Sequence, residues 1–597
     1  MSLTKSLAVL AASLVAVTLA LSQTAFAATT TISFIHLNDL HAHLVPGKAL
    51  VRTGTGTSRV VEHGGIARIA TRIKQIRAAN PNSVLMNIGD TFHGSVESLY
   101  TEGNVIVDVM NRMGVDVGVP GNWDFAFGPG ATRIRFTDAT ADTLGPMSQW
   151  LSSQDIHKVT YPNLGGNVTY TMPRSKKGQN FLPPTMMKTI GGVRVGFIGI
   201  TSDIVPRMYS MLAMGLSFKQ GQDAYLAYIN QYATALRSSG AQVIVVMSEL
   251  GIHKDLQLAN KIAAGSVNVF FSAHTHEATF TMLTSTSGAK VVESGDYGYL
   301  GQMDITVTDG KVAGLHWQLH EITANIVEDP AIAAMVANIR APFLNPNVNM
   351  ETPSTFTTEQ LTQPINTVVG QASVQLDRIN ALESSFNNSY TQLIRSYTGT
   401  QLAMTPGFRF SNVLGGAMQE YQDATVIDGN ITLEDLYQFF PMAFSIGVGE
   451  ITGANLKTLL ENQLTSVFST DAFKHSGGWV DGHAGIKVEL DLSRADGSRI
   501  ISMKDEQNNP IDPARNYTTT GCLRPFEQDG TLCGNTGYTN VVELLNPTQG
   551  TALTVIDAMV LSLQKNSLLM PNGGAKKFHD LSNIPQWPVS SFVQPLR

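Results

Sequence analysis

Residues able to hold metal ions occur at five places in the first half of the chain, each where an apolar run stops. Asp39 and His41 follow one run, Gly89-Asp90 a second and Gly121-Asn122 a third; Ser248-Glu249 and His274-Thr275-His276 end the other two. Carboxylate and carboxamide oxygens together with imidazole nitrogens suit divalent Zn, Mn or Fe. Asp39 and His41 stand two apart, so a slight turn aims both at one ion. The glycine before Asp90 permits the tight turn that a bridging carboxylate needs. His274 and His276 flank Thr275, and on extended backbone they share a side. Two ions roughly 3.5–4 Å apart clamp the attacking and leaving oxygens of a displacement and generate hydroxide at neutral pH. Taken singly, Asp39 after Asn38 also reads as a turn residue and His274 as a surface histidine. Five matching positions favour convergence on one site.

The elements that would position these residues are short apolar strands. Residues 31–38, 83–88, 115–119, 243–247 and 267–271 are continuous apolar runs bounded by Gly, Pro or polar residues, the pattern of strands buried on both faces. Ile66, Ile69, Ile73 and Ile76 recur at helical spacing between the first two. Strands alternating with helices predict an α/β domain, and such sheets place ligands beyond the carboxyl ends of their strands. Residues 193–200 and Val291-Val292 read as further sheet strands. Residues 136–182 lack periodicity and read as a surface excursion. A helical pattern from Asp329-Pro330 to about Arg340 precedes a Pro- and Thr-rich stretch. The second half carries its own pattern, with a helix over 452–463 and a strand over 485–492. The expected organisation is a leader at 1–27, a domain carrying the metal-ligand candidates at 28–345, a linker at 346–365 and a second domain at 366–597.

Composition narrows the function. At 597 residues with 43% hydrophobic content the chain can bury more than one core. A net charge of -7 offers no basic field, so nucleic acid is not expected as a partner. Lys5, the apolar run 7–21 and Ala25-Phe26-Ala27 have the form of a cleavable signal peptide, which predicts export to the periplasm, no stable membrane insertion and a monomeric product. Cys522 and Cys533, close together in an exported chain, are expected to form a disulfide.

Asn38-Asp39-Leu40-His41, Gly89-Asp90, Gly121-Asn122 and Ala273-His274-Thr275-His276 resemble the successive motifs of the calcineurin-like metallophosphoesterases. More narrowly the chain resembles the exported 5′-nucleotidase family, because Gly429-Asn430-Ile431-Thr432, Ile451-Thr452-Gly453 and Leu459-Leu460-Glu461 look like that family's C-terminal domain. The resemblance covers most of residues 30–545. It implies an α/β fold: an N-terminal four-layer αββα sandwich followed by a smaller α/β domain. It also implies two divalent ions, manganese first with zinc or iron as alternatives. One would take Asp39, His41, Asp90 and His276. The other would share Asp90 and take Asn122, His274 and Glu249.

Two departures from the family pattern bear on substrate. The nucleotidases carry histidine after Gly-Asn, where it supports the transition state or protonates the leaving group; here the residue is Trp123, followed by Asp124. An indole donates one hydrogen bond but transfers no proton near neutral pH. Gly-Asn-Trp with an acidic neighbour resembles the thiosulfohydrolases of the Sox sulfur-oxidation system, which release sulfate from a sulfonated cysteine on a carrier protein. Thr405-Pro406-Gly407-Phe408-Arg409 resembles the same group. Arg409 beside Phe408 is then a sulfonate ligand, with a domain-interface salt bridge as its alternative. The second departure is Glu249, where the family has histidine; harder oxygen donation favours Mn or Fe, and His253 is an alternative donor. No aromatic pair able to sandwich a purine stands out. The sequence therefore predicts an exported two-metal hydrolase of thiosulfohydrolase type acting on a sulfur-carrier protein. The alternatives are a 5′-nucleotidase or other phosphoesterase, and a non-catalytic relative that binds an anion or a protein.

Overall fold

The computed structural model describes residues 29–53, 58–151, 155–353, 359–374, 376–378, 381–406, 412–414, 419–426, 429–442, 444–476, 478–524, 529–582 and 584. The leader thus lies outside the described residues. Among them, no helix is long and apolar enough to cross a membrane.

The apolar runs form two sheets. The first has the order Lys311–Glu321, Tyr299–Thr308, Thr29–Asn38, Ser83–Ile88, Val117–Val119. Its last three strands run parallel, which fits their being apolar on both faces. The second sheet has the order Leu283–Thr284, Lys290–Glu293, Val269–Ser272, Val243–Ser248, Val193–Ile200, Thr185–Ile190, with a parallel centre and antiparallel edges. The sheets face each other across Phe34, Phe197, Phe271, Met86, Val245 and Met303. Phe34 stacks on Phe271 at 5.7 Å between ring centroids. Helix Ile66–Ala79 turns Ile66, Ile69, Ile73 and Ile76 onto the outer face of the first sheet. Helices Gln222–Ser238 and Ile252–Ala259 cover the outer face of the second. The result is the four-layer αββα order.

Residues 136–182 correct the expectation of a surface excursion. Ile156, Val159, Tyr161, Val168, Phe181 and Leu182 are buried in the same core as the first outer helix. Tyr161 accepts a hydrogen bond from Asn87 at 3.1 Å, just below the site loops. The segment buries its side chains from loops and one short strand, so it shows no period although it belongs to the core.

A second core holds the C-terminal half. Its main sheet has the order Gly482–Ala484, Leu402–Thr405, Asn516–Leu523, Ser445–Thr452, Tyr538–Glu543, and helix Gly453–Phe468 packs Leu456, Leu460 and Leu464 into that core. Helix Pro330–Arg340 is capped by Asp329, which accepts from the backbone of Ala331 and Ile332. In the stretch expected as a linker, Val348, Leu361 and Ile365 are buried in the second core, as are Val96 and Tyr100 from the first half. The two halves share packing there.

An arginine fastens this junction. Arg340 pairs with both oxygens of Glu434 at 2.8 and 2.9 Å and with Glu97 at 2.5 Å. Glu97 comes from the first half and Glu434 from the second. The Glu97 side chain is only 1% exposed, and burial raises its carboxyl above the usual range against the pull of the guanidinium. Arg340→Ala strands that carboxylate. It is expected to lower the unfolding free energy by about 3 kcal/mol in urea titrations, with Arg340→Lys intermediate because it loses the forked contact.

Candidate metal centre

Strand register brings the first three motifs together. Asn38 pairs with Ile88, and Ile88 with Val119, so the three strands end level. Beyond that line the chains cross-link: Asp39 N–H donates to Gly89 O, Gly89 N–H to Val119 O, and His41 N–H to Asp90 O at 3.2, 2.7 and 2.8 Å. In the facing sheet Ser248 pairs with Ser272, which sets Glu249 beside the His274 segment. Asp39, His41, Asp90, His274 and His276 all adopt positive φ, between 42° and 79°. Non-glycine residues held there are strained by about 1–3 kcal/mol each, and such strain persists where surrounding structure enforces it. The strain turns each side chain inward off its strand end.

Two overlapping groups of ligand atoms result. Asp39, His41, Asp90 and His276 form one; Asp90, Glu249 and His274 form the other, and all of these residues are buried. His41 Nε2 lies 3.1 Å from His276 Nε2 and 3.8 Å from Asp90, and His276 lies 3.3 Å from Asp39 Oδ1. Glu249 Oε1 stands 3.7 Å from His274 Nδ1. Asp90 belongs to both groups, the place of a bridging carboxylate. Asn122 lies in the same cavity wall, and its Oδ1 is buried with no hydrogen-bond partner.

The donor set fits cations. Asp39 Oδ1 and both Glu249 oxygens are also buried without hydrogen-bond partners. A Cβ at Gly89 would sit 1.9 Å from Glu249 Oε2, so glycine is required for the carboxylate to occupy its place. Burial, then the Asp90 and Asp39 charges, push the Glu249 carboxyl well above its usual range. Unpartnered, mutually repelling oxygens gathered at one buried point are the arrangement that two divalent ions would complete. His253, the alternative donor, lies in neither group; its ring packs against His475 at 5.6 Å.

Asp124 has a structural position. Its Oδ1 accepts from the backbone N–H of Thr91 at 2.8 Å and Phe92 at 2.9 Å, and its Oδ2 from Gly121 at 2.8 Å. These bonds tie the Asp90 loop to the Asn122 loop, and burial raises the carboxyl to about 6 against their pull. Trp123 donates its backbone N–H to Asp90 Oδ1 at 2.7 Å. Its indole stacks on His93 at 4.9 Å with 15° between planes. His93 in turn accepts a hydrogen bond at its backbone oxygen from His41 Nδ1, at 3.0 Å, and burial lowers its own pKa to about 3.

A cavity of about 470 Å³ opens over these ligands and runs to the C-terminal half. Its walls include Phe127, Arg207, Phe444, Trp479 and Arg524, none of which the sequence singled out. Phe444 and Trp479 are two aromatic side chains in the cavity wall that the sequence reading did not pick out. No local motif marks them; they lie on irregular backbone of the second half and reach the site by tertiary folding. Phe408 and Arg409 lie outside the described residues, although Pro406 lines the cavity and Asn412 pairs with Glu277, next to His276. Cys522 and Cys533 are joined in a disulfide, and Cys533 lines the same cavity.

Residues 32–278 match the calcineurin-like phosphoesterase family, and residues 368–522 match the 5′-nucleotidase C-terminal domain family. The chain joins a calcineurin-like phosphoesterase domain to a 5′-nucleotidase C-terminal domain, and it is a hydrolase of that family. Its fold is similar to that of a 5′-nucleotidase precursor from Thermus thermophilus (TM-score 0.71, 21% identity, 93% of this chain and 100% of that one). It is equally similar to the sulfate thiohydrolase SoxB of the same organism (TM-score 0.71, 17% identity, 93% and 98%). The 5′-nucleotidase of Naja atra venom is 24% identical over 501 residues, spanning 79% of this chain and 84% of the relative. That of Bos taurus is 24% identical over 499 residues, spanning 79% and 78%.

Substitutions at two positions test the site. A carboxyl whose pKa is raised on folding binds more protons folded than unfolded, so it loses stability as pH rises above its unfolded value. In metal-free protein, Glu249→Gln should therefore be more stable than wild type at pH 8, by about 2 kcal/mol, and the gap should close towards pH 4. The same variant should hold one tightly bound ion where wild type holds two, measured by elemental analysis. Asp124→Ala, which leaves three buried N–H groups without an acceptor, should destabilise by about 3 kcal/mol, and Asp124→Asn by less.

Proposed function

We propose that the protein is an exported two-metal hydrolase of thiosulfohydrolase type, which releases sulfate from a cysteine S-thiosulfonate on a carrier protein. The observation that carries this reading is Trp123. An indole occupies the place beside Asn122 where the related nucleotidases have a proton-transferring imidazole, and it is held there by its stack on His93. A nucleoside alkoxide is a strongly basic leaving group that wants a proton in flight. A persulfide sulfur is weakly basic and departs without one. When bound, two divalent ions supply the Lewis-acid clamp and an activated water. The oxygen-rich donors Asp39, Asp90, Asn122 and Glu249, beside His41, His274 and His276, favour manganese over zinc.

In this reading the sulfonate sits over the ligand cluster, and Arg409, with Phe408, binds its charge. Water adds at the sulfonate sulfur and the sulfur–sulfur bond breaks. Sulfate leaves, and the carrier cysteine keeps the electron pair as a persulfide. Thr91, Phe92 and Gly121 keep the reacting loops fixed through Asp124.

A second reading, a 5′-nucleotidase, has its own support. Phe444 and Trp479 reach the cavity, and the curated relatives named above are 5′-nucleotidases. The manganese-loaded protein separates the two. It should desulfonate a carrier peptide bearing cysteine S-thiosulfonate and leave AMP largely intact; brisk hydrolysis of AMP with no action on the peptide overturns the first reading. Trp123→His should raise AMP hydrolysis by about tenfold or more, since it restores an acid at that position. A purified protein with less than one equivalent of metal would point to a non-catalytic binding relative.

A further inference from the structure

Position 123 leaves one task unfilled: hydrogen-bond support for the charge that grows on the tetrahedral group during displacement. Among the described residues that line the cavity, His93 is the imidazole outside the ligand set. It stands with Asp90, Asn122, His274 and His276 around one space. Its Nδ1 is buried without a hydrogen-bond partner, so Nε2 is the nitrogen left to serve a bound ligand. Packing fixes the ring. Trp123 lies parallel to it at 4.9 Å, and Phe127 leans on it at 5.3 Å. The backbone that carries it is fixed as well, because Asp124 holds Thr91 and Phe92 and because Ser98 Oγ donates to Phe92 O.

We propose that His93 is a catalytic residue: its Nε2–H donates a hydrogen bond to a terminal oxygen of the tetrahedral oxyanion that metal ions at Asp90, Asn122 and His274 would hold. The imidazole acts as a neutral donor, in the manner of an oxyanion-hole group, and keeps its proton throughout. The stack on Trp123 then has a purpose, since a flat indole sets the plane in which the donor points. The shared ligand chemistry is a tetrahedral oxyanion, sulfate or phosphate, and the donor itself does not choose between them. This inference rests on the two-metal hydrolase reading.

The test uses the manganese-loaded, full-length protein with His93→Phe, which keeps the stack and removes the donor, and His93→Gln, which returns an N–H. Metal content, calorimetric binding of inorganic sulfate and of inorganic phosphate, and kcat with KM are measured on each. His93→Phe should keep two ions, bind the anion that wild type binds about tenfold more weakly, and lose about 10²-fold in kcat with KM little changed. His93→Gln should recover most of both losses. The preferred anion in wild type reports whether the group is sulfonyl or phosphoryl. A His93→Phe protein with two ions and wild-type anion affinity and turnover overturns the proposal. So does a His93→Gln variant as impaired as His93→Phe, or loss of metal from His93→Phe, which would mark a prop for His41. Wild-type protein that holds two ions yet binds neither anion and cleaves neither substrate overturns the hydrolase reading itself, and His93 with it.

Discussion

The first half is organised around one constraint: three buried carboxylates, Asp39, Asp90 and Glu249, are pressed together at the floor of the cavity. Two unit charges 4 Å apart repel by about 4 kcal/mol even at an effective dielectric of 20. A fold of ordinary marginal stability does not carry several such terms for nothing. The strain at Asp39, His41, Asp90, His274 and His276 adds to the burden, because each holds a positive φ. Parallel strands with level ends make the crowding unavoidable. Once Asn38, Ile88 and Val119 are in register, the next residues of all three chains must leave the sheet into the same space. Divalent ions bound there would offset that repulsion.

The second half bears on this centre from outside. Strand Glu277–Thr279 continues directly from His276 and pairs with Asn412–Leu414, so a metal-ligand segment is also a seam between the halves. Arg524 of the C-terminal half donates to the carbonyls of Met208 and Cys533, and the Met208 sulfur receives the Asn122 amide at 3.2 Å. The disulfide-closed loop, the roof of the cavity and Asn122 are thus linked by direct contacts. Arg340, clamped between Glu97 and Glu434, fixes the far side of the same junction. The cavity between the halves owes its shape to both seams.

What the sequence made legible follows from these physical differences. Buried parallel strands write themselves as continuous apolar runs, so 83–88 and 193–200 could be read to the residue, and Asp90 was found at the end of the first. The disulfide was legible from the number and spacing of the cysteines and the expectation of export. Residues 136–182 were not, since their buried aromatics are placed by tertiary contact and obey no period. Asp124 was opaque for a related reason: its partners Thr91 and Phe92 are more than thirty residues away, and a carboxylate bound to backbone N–H groups has no sequence signature. Phe444 and Trp479 reach the site through the arrangement of the second core, which no short window reports. His93 stood three residues past a recognised ligand, and only the stack on Trp123 gives it meaning.

That stack changes how substitution at position 123 should be understood. Histidine and tryptophan there differ in more than acidity, because the side chain at 123 is also one wall for the side chain at 93. An indole offers a broad face against which the imidazole lies nearly parallel; a smaller ring would cover less of it. The Asp124 clamp joins the two loops through their backbones, so neither residue moves without the other. The unit of change at this site is therefore the pair. A proton donor lost from one loop and a rigid neutral donor gained on the other alter the chemistry the metals can serve while leaving their ligands in place.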